Sequence, residues 1–209
     1  FFDEALASAV HSTGPHPAQQ VVFLGAGWDT RAYGALRDCP VRVFEVDTPA
    51  TQRAKRQALD RADIDASHVT FVETDFGQTS WFDVLLRRGF DPAIPTFILW
   101  EGVTMYLDEK TVQTTLRTVS GLAVGSRIAF DTYSLEFFSG FLGQYMRLMV
   151  KGFYGESLQF FLSTRAPARK QASDFIASQG LALAGYEPLG EERGKSVPVG
   201  GFTLAERSG

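Results

Sequence analysis

Short apolar runs that close on glycine or an acid alternate with polar stretches of helical spacing along most of the chain. Residues 20–27 (QVVFLGAG) stay apolar until they end on two glycines, which predicts a buried strand entering a tight turn. VRVFEVD (41–47), HVTFVE (68–73), PTFILW (95–100) and SRIAFD (126–131) predict further strands. The run at 95–100 is apolar throughout, as suits a strand covered on both faces. Helices are predicted between the strands. DEALASAVHS (3–12) reads as a short helix ending before the turn-rich TGPHP. DTRAYGALRD (29–38) reads as a helix with Asp29 near its N-terminus, where a carboxylate can accept otherwise unpaired N–H groups. Thr48 suits the cap and Pro49 the first position of a helix through ATQRAKRQAL (50–59). Asp108 suits the cap of another, whose Val112, Leu116, Val119 and Leu122 form one stripe. This alternation predicts an α/β fold with a parallel sheet covered by helices on both faces.

The C-terminal third is patterned differently. LEFFSGFLGQYMRLMVKGF (135–153) is rich in aromatic residues and methionine and predicts a helix. Its Phe137, Phe138, Phe141, Tyr145, Met146 and Met149 are open to three readings: core, subunit contact, or a lid over a substrate. PARKQASDFIASQG (167–180) predicts a helix stopped by Gly180, and LALAGYEPL (181–189) with VGGFTLAE (199–206) predicts a closing antiparallel hairpin.

Composition narrows the classes. A chain of 209 residues, 44% hydrophobic and 21% charged, suits one globular domain, 1–209. A net charge of -4 argues against nonspecific binding to nucleic acid or anionic membranes. Arg53, Lys55 and Arg56 cluster on a predicted helix and read as a solvated face. Cys39 is the single cysteine, so neither an internal disulfide nor a thiolate metal site is expected, and a cytoplasmic location is the simpler expectation. No apolar run approaches the ~20 residues of a membrane span. His11, His16 and His68 fall in no motif and read as surface residues. The chain opens at Phe1 without a methionine, so a further upstream segment is expected.

Candidate chemistry gathers at the carboxyl ends of the predicted strands, the edge where open α/β sheets bind ligands. In VVFLGAGWDTR (21–31), Gly25, Ala26 and Gly27 would let a ligand lie against the backbone. A dinucleotide fingerprint asks for a third glycine where Thr30 stands, which weakens a nicotinamide reading. Asp47, 20 positions after Gly27, can accept hydrogen bonds from ribose hydroxyls, or else only cap the following helix. Glu45 shares its face of the strand. Asp75 can accept from an adenine amino group while Phe76 packs on the purine, the alternative being a loop acid and a core aromatic. Glu101, before Gly102, can face a cationic group or serve as an ion-pair residue. Four such signals on four strands carry more weight together than any one alone.

LGAGWDTRAY, FEVDTPATQRAK, the turn DF and EGVTMYL, in this order and spacing, closely resemble the leucine carboxyl methyltransferase family. The resemblance runs from about Phe1 to GFTLAER. It implies a Rossmann-like class I methyltransferase fold, a mostly parallel seven-stranded sheet closed by the antiparallel pair. It implies S-adenosylmethionine (SAM) as cofactor and methyl transfer to oxygen, foremost a carboxylate of a small molecule or peptide. It makes Gly25 and Gly27 the residues of cofactor approach, Asp47 the ribose acceptor, Asp75 and Phe76 the adenine contacts, and Glu101 a contact to the methionine end. Asp29 and Arg31 become organisers of the cofactor loop, and Tyr106 a neighbour of the acceptor pocket. The family also has an N-terminal helical segment with a basic residue for the methionine carboxylate, to which nothing here corresponds, leaving Arg31 as a further candidate. Two other readings stay open: a nicotinamide-dependent oxidoreductase and a non-catalytic SAM-fold binding module.

Overall fold

The computed structural model describes residues 1–76, 80–191 and 197–209. Strands β1 (Gln20–Leu24), β2 (Arg42–Asp47), β3 (Val69–Glu73), β4 (Thr96–Trp100) and β5 (Arg127–Tyr133) run parallel. β6 (Ala182–Leu189) and β7 (Gly200–Glu206) close the sheet as an antiparallel pair. The spatial order is β3-β2-β1-β4-β5-β7-β6. This is the expected mostly parallel, seven-stranded sheet with its antiparallel hairpin at the C-terminus.

Alternation along the strands splits the core in two. Val22, Leu24, Phe44, Val46, Ile98 and Trp100 face one side, packed by α3 (Trp81–Arg87), α4 (Glu109–Ser120) and α7 (Ala168–Ser178). Val21, Phe23, Val43, Phe97 and Leu99 face the other, covered by α1 (Phe2–Val10) and the Leu59 end of α2 (Pro49–Arg61). β1 and β4 are buried at every position because each has strands on both sides and helices on both faces. The predicted caps are present. The Thr48 hydroxyl accepts from Thr51 N–H and Asp108 from Thr111 N–H. Ser80 caps α3, a helix that the periodicity did not single out.

Four expectations need correction. Residues 29–38 form a chain of turns rather than a helix. The Asp29 carboxylate accepts the Arg31 N–H, and the bonds that follow mix spans, Tyr33 and Gly34 both donating to the Thr30 carbonyl and Leu36 to that of Arg31. Local side-chain competition of this kind unseats a helix, and Ala32, Tyr33 and Leu36 are buried against the sheet from the irregular backbone. The segment 135–153 is two helices, α5 (Leu135–Ser139) and α6 (Phe141–Tyr154), because Gly140 is extended with ψ 169°. Lys55 is not on a solvated face: it is 3% exposed, on the buried stripe of α2 with Gln52 and Leu59. His68 is half-buried, its Nε2 2.8 Å from the Ala32 carbonyl, whereas His11 and His16 are exposed.

The aromatic stretch divides along the same break. Phe138 is buried and stacks on Phe161 with ring centroids 4.9 Å apart. Along α6, Phe141, Leu142, Tyr145, Met146, Leu148, Met149 and Phe153 are exposed, and Gly143 is the one buried position among its described residues. No helix among the described residues is long and apolar enough to cross a membrane.

Candidate functional site

A groove of about 680 Å³ opens at the carboxyl ends of β1 and β4. The strand order reverses there, since β1 connects on to β2 on one side and has β4 on the other, which leaves a crevice between diverging connections. Its floor is the turn after β1. The Gly25 and Ala26 N–H groups both donate to the Val46 carbonyl, at 2.8 and 3.1 Å, and the Gly27 N–H donates to Asp47 Oδ2 at 2.7 Å. Gly25 has φ +71°, and a Cβ on it would run into the Val103 side chain. Its missing side chain therefore admits the segment after β4 as well as bending the turn.

Arg31 gathers three carboxylates at one end of the groove. Its Nε donates to Asp3 at 2.5 Å, and its Nη1 to Asp29 at 2.7 Å and to Glu101 at 2.8 Å. Asp3 arrives from α1, Asp29 from the turn and Glu101 from the end of β4, so the guanidinium ties together three separate parts of the chain. Burial works against the charge, but the hydrogen bond to Asp3 and the charges of Asp29 and Glu101 outweigh it and hold Arg31 above its ordinary value.

The sequence candidates fall at different distances from this groove. Gly25, Ala26, Gly27, Asp29, Arg31 and Glu101 line it together. Asp47 borders it through Gly27, and its second oxygen accepts the Thr48 N–H at 2.6 Å. Asp75 and Phe76 follow β3, further along the same sheet edge beyond β2; Asp75 is exposed and Phe76 packs partly against the core. Tyr106 is half-buried in a single 3-10 turn, Thr104–Tyr106, just past the groove-lining Val103.

Glu45 is fully enclosed. Its Oε1 accepts from Lys55 Nζ at 2.8 Å, and Lys55 also reaches the Ala26 carbonyl at 3.4 Å. Burial raises the Glu45 carboxyl above its ordinary value against the pull of Lys55. Glu45 thus lies beneath the glycine turn, and Lys55 links the two.

Further polar and aromatic residues near the groove lie outside the sequence candidates. Asp3 and Trp28 line it, Trp28 with 64% exposure. Asp131, near the end of β5, accepts the Gly102 N–H, and Tyr133 closes that strand and bonds Asp131. Asp131 carried the same signal as Asp47, an acid closing an apolar strand; Asp3 carried none, because only the docking of α1 brings it to Arg31. Among the described residues no group of three or more His, Cys, Asp or Glu is placed to hold a metal ion.

An open α/β sheet with a glycine turn, an acid closing the second strand and a groove at the reversal of strand order is the arrangement in which open α/β folds seat nucleotide-type ligands. Residues 1–120 match the family model described as leucine carboxyl methyltransferase, which is more than half of the chain. The chain belongs to that family. A putative S-adenosyl-L-methionine-dependent methyltransferase of Saccharopolyspora erythraea is 36% identical over 139 residues, covering 65% of this chain and 46% of that protein. One from Streptomyces avermitilis is 35% identical over 147 residues, covering 65% and 50%. The chain spans about half the length of the curated relatives it matches.

Among solved structures, an O-methyltransferase family protein from Burkholderia thailandensis superposes with TM-score 0.62 at 16% identity, over 99% of this chain and 56% of that one. Geranyl diphosphate C-methyltransferase from Streptomyces coelicolor, solved with Mg2+, geranyl diphosphate and S-adenosyl-L-homocysteine, also gives 0.62 at 16% identity, over 98% and 78%. At that identity the likeness bears on the fold, which is the class I methyltransferase fold.

Proposed function

We propose that the groove binds SAM and that the protein transfers its methyl group to an acceptor oxygen, the carboxylate of a small molecule or peptide. The observation that carries the cofactor reading is Arg31 and Glu101 side by side at 2.8 Å next to the glycine turn. The amino-acid end of SAM is a zwitterion. A guanidinium matches its carboxylate in a forked geometry, and a neighbouring glutamate matches its ammonium. Arg31 and Glu101 side chains are 23% and 42% exposed, so their own contact is worth at most about 1 kcal/mol and a ligand can exchange into it.

The rest of the groove fits the remaining parts of the molecule. The groove lies within the roughly 300–1,000 Å³ usual for small-ligand sites. Each Asp47 oxygen accepts one backbone N–H and keeps a lone pair for a ribose hydroxyl. Asp75 and Phe76 are assigned to the adenine end, and Tyr106 to the acceptor side. A Cβ on Gly102 would meet nothing within 4 Å, so the wall opposite the glycine turn is open. Glu45, being enclosed, acts through Lys55 on the turn rather than by contact.

Bound there, the cofactor supplies an electrophilic methyl group on a sulfonium centre, and the residues of this chain hold it, orient it and screen it from water. The carboxylate assignment rests on the family and on proton bookkeeping. A carboxylate, with an ordinary value near ~4, is already ionised at neutral pH and needs no base. Among the described residues no histidine lines the groove. The test is incubation of the protein and methyl-labelled SAM with a host extract, followed by mild alkali. Methyl esters release labelled methanol; label that survives base moves the acceptor to a phenol or an amine.

A further inference from the structure

Two residues before its end, β5 carries a carboxylate that has no part in the reading above. Asp131 is 5% exposed. Its Oδ1 accepts the Gly102 N–H at 2.8 Å, and its main-chain carbonyl accepts the Thr104 hydroxyl at 2.6 Å. One residue of β5 therefore fastens both ends of the 102–104 segment, the stretch that leads out of β4 past Glu101. The Tyr133 hydroxyl bonds the same carboxylate and is pushed up to about 12 by burial and by the Asp131 charge.

This is a costly way to satisfy one amide. Burial raises the Asp131 carboxyl above its ordinary value, the Gly102 N–H opposes the rise, and the charge of Glu101 adds to it. A neutral acceptor would bond the same N–H without setting two acids across a single residue. Val103 and Thr104 are anchored, but Gly102 itself has loose surroundings. Gly102 sits at φ +72°, where glycine is free to leave, and no side chain packs around the place its Cβ would occupy. Glu101 is part exposed and pairs with Arg31.

We propose that Asp131 is a positioning residue that sets Glu101 in the groove by accepting the Gly102 N–H, so that it governs recognition of the ammonium end of the bound cofactor. This deepens the SAM reading and rests on it. The role is carried by the Asp131 oxygen as an acceptor, so asparagine, which keeps an oxygen there, preserves it and alanine abolishes it.

Binding of S-adenosylhomocysteine and of methylthioadenosine, which lacks the amino-acid end, is measured by calorimetry in the wild type, Asp131→Ala and Asp131→Asn. Protection of the Gly102 amide is followed by NMR hydrogen exchange in the same three proteins. Asp131→Ala is expected to weaken S-adenosylhomocysteine at least tenfold, to leave methylthioadenosine within about threefold, and to strip the Gly102 amide of protection. Asp131→Asn is expected to stay within about threefold for both ligands and to keep the protection. Equal loss of both ligands in Asp131→Ala, or no loss of either, overturns the proposal, as does a tenfold loss in Asp131→Asn. That last arm decides the matter even where alanine prevents folding. A wild type that binds neither ligand defeats the cofactor reading instead, while Gly102 protection still reports whether Asp131 holds the turn.

Discussion

Asp47 serves the backbone before any ligand reaches it, since its two oxygens take the Gly27 and Thr48 amides. Asp47→Ala is therefore expected to weaken S-adenosylhomocysteine by roughly 1.5–3 kcal/mol, the scale of a charged hydrogen bond. Calorimetry showing unchanged affinity in a folded variant removes Asp47 from the site. A second residue supplies the optical readout. Trp28 lines the groove at 64% exposure, while Trp81 and Trp100 are buried at 6% and 0%. Ligand binding should change tryptophan emission through Trp28, and Trp28→Phe should abolish the change; a signal that persists places the ligand elsewhere.

Glu45 and Lys55 show where residue-level reading stops. Alternation along β2 put Glu45 on the face of Asp47, but alternation specifies a face and not a depth. Two residues further from the strand end, the same face lies under α2, and the acid is enclosed. The spacing of Gln52, Lys55 and Leu59 held the missing signal, a lysine on a buried stripe that requires an acid beneath it. Lys55→Met strands that acid, and urea unfolding is expected to report a loss of about 3–5 kcal/mol.

Among the elements, strands were the most legible because each ends on residues that change the local rule, such as the glycines after β1 and the acid closing β2. The 29–38 segment was not, since its polar and apolar spacing suits a helix while the Asp29 carboxylate competes for the first amides. α3 gives no such signal because its seven residues offer barely two turns of pattern.

α5 carries its own pH dependence. Glu136 accepts from the Thr164 N–H at 2.9 Å and the Ser163 hydroxyl at 2.8 Å, joining the helix to residues 163–164. Burial alone would raise the carboxyl, but these bonds and Arg165 outweigh it and hold it below the ordinary carboxylate range. A depressed folded value means stability that is complete above the unfolded value near ~4.3 and lost as pH falls through the folded one. Glu136→Gln should cost about 1–2 kcal/mol at pH 7 and progressively less in acid. Urea midpoints for both proteins that differ equally at neutral and acid pH would show that the Glu136 charge is not what joins the segments.

At the scale of the whole molecule, alternation of elements predicts a parallel sheet covered on both faces but leaves several strand orders open. The class I arrangement is implied by the family resemblance, and the groove lies where the observed order reverses. What no local pattern carries is the meeting of Asp3, Asp29 and Glu101 on Arg31, which exists only once α1 has docked on the sheet.

The bare surface of α6 has a consequence in time rather than in space. A 14-residue helix is near the limit of what stands alone in water, and α6 buries only Gly143 among its described residues. Its opening free energy is then close to zero, whereas α4, with Val112, Leu116 and Val119 fully enclosed, opens only with the whole sheet. Hydrogen–deuterium exchange should label α6 orders of magnitude faster than α4, and brief trypsin treatment should cut first after Arg147 or Lys151. Protection of α6 equal to that of α4 would show that another surface covers it in solution.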